Sequence, residues 1–136
     1  MSKQQPVILY VEDEARSRKV MQLIAAGMGI SQLILFEDSS DFAARVQALD
    51  PQPDVIFLDI HVAPHNGFEM LAMLRQMPRF DTTPVVAVTA SVMNEEIQQL
   101  GRAGFNGCLA KPIDMDSFPD TVARILTGEA VWRIIG

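Results

Sequence analysis

Apolar and polar positions fall in blocks along the chain. Val7-Ile8-Leu9-Tyr10-Val11 is a short continuous apolar run, as for a strand buried on both faces, and it ends abruptly in Glu12-Asp13-Glu14. Residues 14–26 carry helical spacing, with Val20, Leu23 and Ile24 on one face and Arg16, Arg18 and Lys19 elsewhere; Gly27 and Gly29 are stop signals. Leu33-Ile34-Leu35-Phe36 reads as a second strand. Ser39 or Ser40 would cap a helix through Leu49 with Phe42, Val46 and Leu49 inward. Asp54-Val55-Ile56-Phe57-Leu58-Asp59 is a third strand, followed by a loop over 61–67 and a helix carrying Phe68, Met70, Leu71 and Leu74 that stops near Pro78. Pro84-Val85-Val86-Ala87-Val88-Thr89 is a fourth strand, with proline tolerated at its first position. Residues 92–103 predict a mostly polar helix with a thin stripe of Met93, Ile97 and Leu100, ended by Gly104. Gly107-Cys108-Leu109-Ala110 is a short fifth strand. The last helix has Asp114 or Asp116 as cap, Pro119 in its first turn, and Val122, Ile125 and Leu126 inward.

Strands and helices thus alternate five times, which predicts a parallel sheet covered on both faces. The expected fold is α/β, a doubly wound three-layer sandwich. With right-handed crossovers, the strand order 2-1-3-4-5 puts a crevice between strands 1 and 3, outside their carboxyl ends.

Composition leaves that picture intact and narrows the function. The 136 residues make one domain, which buries about two thirds of its unfolded surface. A net charge of −6, from 17 acids against 11 bases, argues against a nucleic-acid surface. No apolar run has a membrane span's length, no signal-peptide layout opens the chain, and one cysteine excludes an internal disulfide, so the expectation is a cytoplasmic protein.

Chemistry is expected at the strand ends: Glu12 and Asp13 after strand 1, Asp59 after strand 3, Thr89 after strand 4 and Lys111 after strand 5. Three carboxylates in one crevice repel unless a cation joins them, and oxygen-only ligands point to Mg²⁺, Mn²⁺ or Ca²⁺ rather than zinc. A lysine and a hydroxyl beside them suit phosphoryl oxygens, and a central carboxylate, Asp59, can itself be the nucleophile. Each residue alone has a blander reading as a cap, first-turn acid or solvated surface charge. Four strand ends supplying matching chemistry weigh against that reading. His61 and His65 read as surface histidines, and Cys108 as a small buried residue.

Val11-Glu12-Asp13, Leu58-Asp59, Val88-Thr89-Ala90 and Ala110-Lys111-Pro112-Ile113-Asp114, in this order, resemble the receiver domain of two-component response regulators over roughly residues 6–127. The resemblance implies a flavodoxin-like fold and a phosphoacceptor signalling domain rather than an ordinary enzyme. It also implies that this domain loses its phosphate by its own chemistry. Asp59 would be the phosphoacceptor, Asp13 the direct ligand of Mg²⁺ or Mn²⁺, Glu12 a ligand through water, and His61 a ligand through its backbone carbonyl. Thr89 would be the switch hydroxyl, Lys111 the phosphate-contacting lysine, and the Lys111-Pro112 bond cis. His61 and Ser91 would flank attacking water.

The implied partners are a sensor histidine kinase or a histidine phosphotransfer protein, and a downstream protein on the helix 4–strand 5–helix 5 face. A monomer or weak homodimer is expected. The sequence departs from the family at Cys108, where an aromatic is usual, and at Ala63-Pro64, where the proline falls one residue late.

Two other classes compete with that reading. A haloacid-dehalogenase-type phosphatase would want a second aspartate where His61 stands, and a phosphorylation-independent binding module would leave the intact acids without use. Residues 1–127 are read as the receiver and 128–136 as a short apolar tail without an output domain. That tail is expected to pack on its own domain through Trp132, Ile134 and Ile135, with docking on a second subunit as the alternative.

Overall fold

A computed structural model describes residues 5–90 and 93–133. Its elements are β1 (Ile8–Val11), α1 (Ala15–Gly27), β2 (Leu33–Phe36), α2 (Phe42–Gln47), β3 (Val55–Asp59), α3 (Gly67–Arg75), a 3₁₀ turn (Pro78–Phe80), β4 (Val85–Thr89), α4 (Asn94–Ala103), β5 (Gly107–Ala110), α5 (Phe118–Leu126) and β6 (Val131–Arg133). Every strand pair is parallel, and the order is β2-β1-β3-β4-β5-β6. The expected 2-1-3-4-5 order is present, with one short strand added at its rim.

The continuous apolar runs have a simple cause. Successive residues of a strand point to opposite faces, and both faces here are covered. Leu9, Val11, Ile56, Leu58, Val85 and Ala87 meet α2, α3 and α4 on one side. Ile8, Tyr10, Val55, Phe57, Val86 and Val88 meet α1 and α5 on the other, where the Phe57 and Phe118 rings lie 5.4 Å apart. No helix among the described residues is long and apolar enough to cross a membrane.

The differences from expectation are local. Leu23 points to water, 56% exposed, because the stripe of α1 that faces the sheet is Met21, Ile24 and Ala25. Helix α2 starts one to two residues after the expected serine caps. Asp41, in a left-handed conformation at φ 52°, precedes it, and its side chain caps nothing. Ser39 is instead buried: its hydroxyl donates to the His65 carbonyl and accepts the His65 N–H, both at 2.7 Å, which ties the loop after β2 to the loop after β3. Met93 precedes α4 and is 64% exposed. The residue before α5 is Ser117, whose N–H donates to Asp114 Oδ2 at 3.2 Å. From the tail, Val131–Arg133 pairs with β5, while the expected contacts of Ile134 and Ile135 lie outside the described residues.

Candidate functional site

In a parallel sheet all strands finish at one edge, so residues far apart in sequence meet there. Glu12 and Asp13 follow β1, Asp59 ends β3, Thr89 ends β4 and Lys111 follows β5. One carboxylate oxygen from each of Glu12, Asp13 and Asp59 lies within 4.8 Å of the others. Lys111 Nζ donates to Glu12 Oε1 at 2.9 Å and to Asp59 Oδ2 at 3.2 Å, across 99 and 52 residues of chain. Glu14 Oε1 stands 3.9 Å from the same ammonium.

The three acids differ in surroundings, and that sets what each can do. Glu12 is fully buried, yet both its oxygens are used. Oε1 accepts from the Tyr10 hydroxyl at 2.7 Å as well as from Lys111, and Oε2 accepts the Glu14 N–H at 3.1 Å. Arg18 also donates to the Glu12 carbonyl at 2.9 Å. Burial alone would raise the Glu12 pKa, but hydrogen bonds shared with Asp59, Lys111 and Tyr10 outweigh it and hold Glu12 below its ordinary value.

Asp59 is 4% exposed, and its Oδ1 accepts the His61 N–H at 3.0 Å. Burial first, then the shared hydrogen bond and charge of Glu12, push its carboxyl up to about 6. Between these two acids the proton goes to Asp59. Asp13 lies open to solvent beside them. Burial would lower the Lys111 pKa, but the two carboxylates it bridges hold it above its ordinary value. The buried Tyr10 hydroxyl is held neutral by burial and by its bond to Glu12.

The other expected residues frame this centre. Thr89 is buried at the end of β4, level with Ala110 on β5, and its carbonyl accepts the Lys111 N–H at 2.9 Å. His61 is exposed and lines a cleft with Thr89, Val62 and Asn66. Ala90 and Pro112 line a second cleft with Tyr10, Asp13 and Lys111, and the Lys111–Pro112 peptide is cis. Ser91 lies outside the described residues. Cys108 is buried between β4 and β6; burial and the Glu96 charge push its thiol up to about 11.

Sequence reasoning passed over Tyr10 as one apolar strand residue among five. The signal was present, since a buried tyrosine needs a partner for its hydroxyl, and a strand places Glu12, two residues on, upon the same face.

An all-oxygen set of acids, one of them open to water, fits Mg²⁺ or Mn²⁺, ions that keep several waters and take few carboxylates. Asp13 and Asp59 would hold such an ion, with Glu12 behind them and already committed to Tyr10 and Lys111.

Known proteins are similar to this chain in sequence and in fold. The chain is 31% identical over 122 residues to sensor histidine kinase AruS of Pseudomonas aeruginosa, covering 88% of this chain. It spans only 8% to 12% of the length of histidine kinases it matches. The chemotaxis response regulator CheY4 of Vibrio cholerae superposes with a TM-score of 0.79 at 23% identity, over 90% of this chain and 99% of that one. The receiver domain of sensor histidine kinase PA1611 from Pseudomonas aeruginosa, a structure with magnesium coordinated in its active-site cleft, gives 0.79 at 21% identity, over 91% and 99%. The family model for the response regulator receiver domain matches residues 8–123, and the chain therefore belongs to that family, the receivers of two-component signalling.

Proposed function

We propose that Asp59 accepts a phosphoryl group from a phosphohistidine and that the domain passes the resulting charge on as a signal. The donor is a sensor histidine kinase or a histidine phosphotransfer protein. An ionised Asp59 oxygen attacks phosphorus. The P–N bond breaks, its electron pair stays on the imidazole nitrogen, and that nitrogen takes up a proton from water. Later a water attacks the same phosphorus, the acyl–phosphate bond breaks, and inorganic phosphate leaves with Asp59 restored.

Each neighbour has a part. Lys111 offsets the charge that builds on the phosphoryl oxygens. The Thr89 hydroxyl donates to one of them. Glu12, fixed by Tyr10 and Lys111, keeps Asp59 and Lys111 in register. Asp13, Asp59 and the His61 carbonyl would ligate Mg²⁺ or Mn²⁺ directly, and Glu12 through water. When bound, the ion supplies positive charge against the phosphoryl oxygens. His61 flanks the path of the hydrolytic water and sets how long the phosphate lasts. The domain works in the cytoplasm as a monomer or weak homodimer, and a downstream protein meets its α4–β5–α5 face.

The observation that carries this reading is the Lys111 ammonium between Glu12 and Asp59, beside the open Asp13. The test is intact mass after incubation with acetyl phosphate and Mg²⁺. The chain gains one phosphoryl group, while Asp59→Asn and EDTA-treated chain gain none. No gain by the wild type would leave a phosphorylation-independent binding module in its place.

A further inference from the structure

The turn after β2 is polar and open to water except at one residue. Glu37, Asp38, Ser40 and Asp41 are exposed, and Ser39 in their midst is fully buried. A hydroxyl taken out of water has to find partners within the fold. Ser39 finds both on one residue: its Oγ donates to the His65 carbonyl and accepts the His65 N–H, each at 2.7 Å. Its backbone N–H donates to the Ala63 carbonyl at 3.2 Å. Residues 63–65 are thus held from the side much as a neighbouring strand would hold them.

The loop so held is the one that leads from Asp59 into α3. Its two ends are fixed at the acceptor: the His61 N–H donates to Asp59 Oδ1 at 3.0 Å, and the Gly67 N–H donates to the Ile60 carbonyl at 3.0 Å. Between them Ala63 and Pro64 stand exposed, and it is there that Ser39 makes its contacts. The turn that carries Ser39 is stiff in its own right. Asp38 Oδ1 accepts the Ser40 N–H at 3.0 Å and the Ser40 hydroxyl at 2.6 Å, and Arg45 donates to the Asp38 and Ser40 carbonyls at 3.2 and 2.9 Å. Ordering a loop costs conformational entropy, and a ligand that finds the loop already ordered binds without that cost.

We propose that Ser39 is a positioning residue for the divalent cation. By holding His65 it fixes the loop that bears the His61 carbonyl, so the ion meets an ordered loop instead of having to order it. This inference rests on the phosphoacceptor reading above and adds to that site a residue from the turn after the edge strand. The coupling is reciprocal: the factor by which the Ser39 latch strengthens cation binding is the factor by which the cation strengthens the latch.

The probe is Mn²⁺, titrated into full-length wild type, Ser39→Ala and Ile125→Val, with the electron paramagnetic resonance signal of the free ion as readout. Ile125→Val thins the core on the α5 side of the sheet and reports what lost stability does by itself. Ser39→Ala is expected to bind Mn²⁺ about threefold more weakly or worse, and Ile125→Val to bind as wild type does. A smaller change in Ser39→Ala, or the same weakening in Ile125→Val, overturns the proposal and leaves the cation site standing. Wild type that binds no Mn²⁺ removes the cation site itself, and the proposal with it. Circular dichroism reports whether Ser39→Ala folds. Should it not fold, hydrogen exchange on the wild type decides. Saturating Mg²⁺ must slow the His65 amide about threefold or more relative to the Gly104 amide after α4, and an equal response of the two overturns the proposal.

Discussion

Asp59 is held in the fold against its own charge. Burial and the adjacent Glu12 raise its carboxyl from 3.8 to about 6. The folded value lies above the unfolded one, so folding favours the protonated acid. That contribution is complete below about pH 4 and is lost as pH rises through about 6. In neutral solution, without a cation, the ionised carboxylate costs the fold about 2–3 kcal/mol. Asp59→Asn removes the charge and keeps the shape. The melting temperature of the EDTA-treated variant is expected roughly 5–10 °C above wild type at about pH 7.5, and the gap narrows as pH falls toward about 4.5. Mg²⁺ raises the wild type and closes the gap from the other side, because an ion that binds only the folded state stabilises it. A gap that stays constant with pH would show that something other than charge sets it.

The elements show how far local pattern reaches. Strands β1, β3 and β4 were legible because a run buried on both faces admits no polar residue until its end, while β2, a half-buried edge strand, and the short β5 were legible from their apolar runs alone. Glu12, Asp13, Asp59, Thr89 and Lys111 were legible as positions for the same reason: they are the first polar residues past each run. Helix ends were harder. The left-handed Asp41 before α2 leaves no side-chain signature. β6 is three residues whose strand character comes only from pairing with β5. The start of α3 carried a usable signal, Asn66 followed three residues later by Glu69. Asn66 Oδ1 accepts the Glu69 N–H at 2.9 Å, and Glu69 Oε1 accepts the Asn66 N–H at 2.8 Å. This reciprocal cap fixes the helix start directly after the loop from Asp59, with the Gly67 N–H bonded to the Ile60 carbonyl at 3.0 Å. Asn66→Ala is expected to cost about 1 kcal/mol in denaturant unfolding with an unchanged slope. A loss below a few tenths would mean that the surrounding loop, through Ser39 and His65, already fixes the helix start.

At the scale of the whole molecule, the site works as a clasp between distant parts of the chain. β1, β3 and β5 are not consecutive in sequence, and β4 separates β3 from β5 in the sheet. One ammonium joins the ends of all three through Glu12 and Asp59. Two carboxylates this buried are tolerated because of it; without the cation they face each other in a medium that cannot screen them. Lys111→Met keeps the stem and removes the charge. It is expected to cost about 2–4 kcal/mol at neutral pH, with less loss as Asp59 protonates below about pH 6. Asp59→Asn alone is expected to stabilise at neutral pH, and to stabilise more in the Lys111→Met background, because there it relieves a repulsion that the lysine otherwise offsets. The double-mutant cycle should therefore give a coupling energy of about 1 kcal/mol or more. Additive effects within about 0.3 kcal/mol would mean that Lys111 acts on the fold through its packing, and that the charge balance at the carboxyl edge is supplied by other groups.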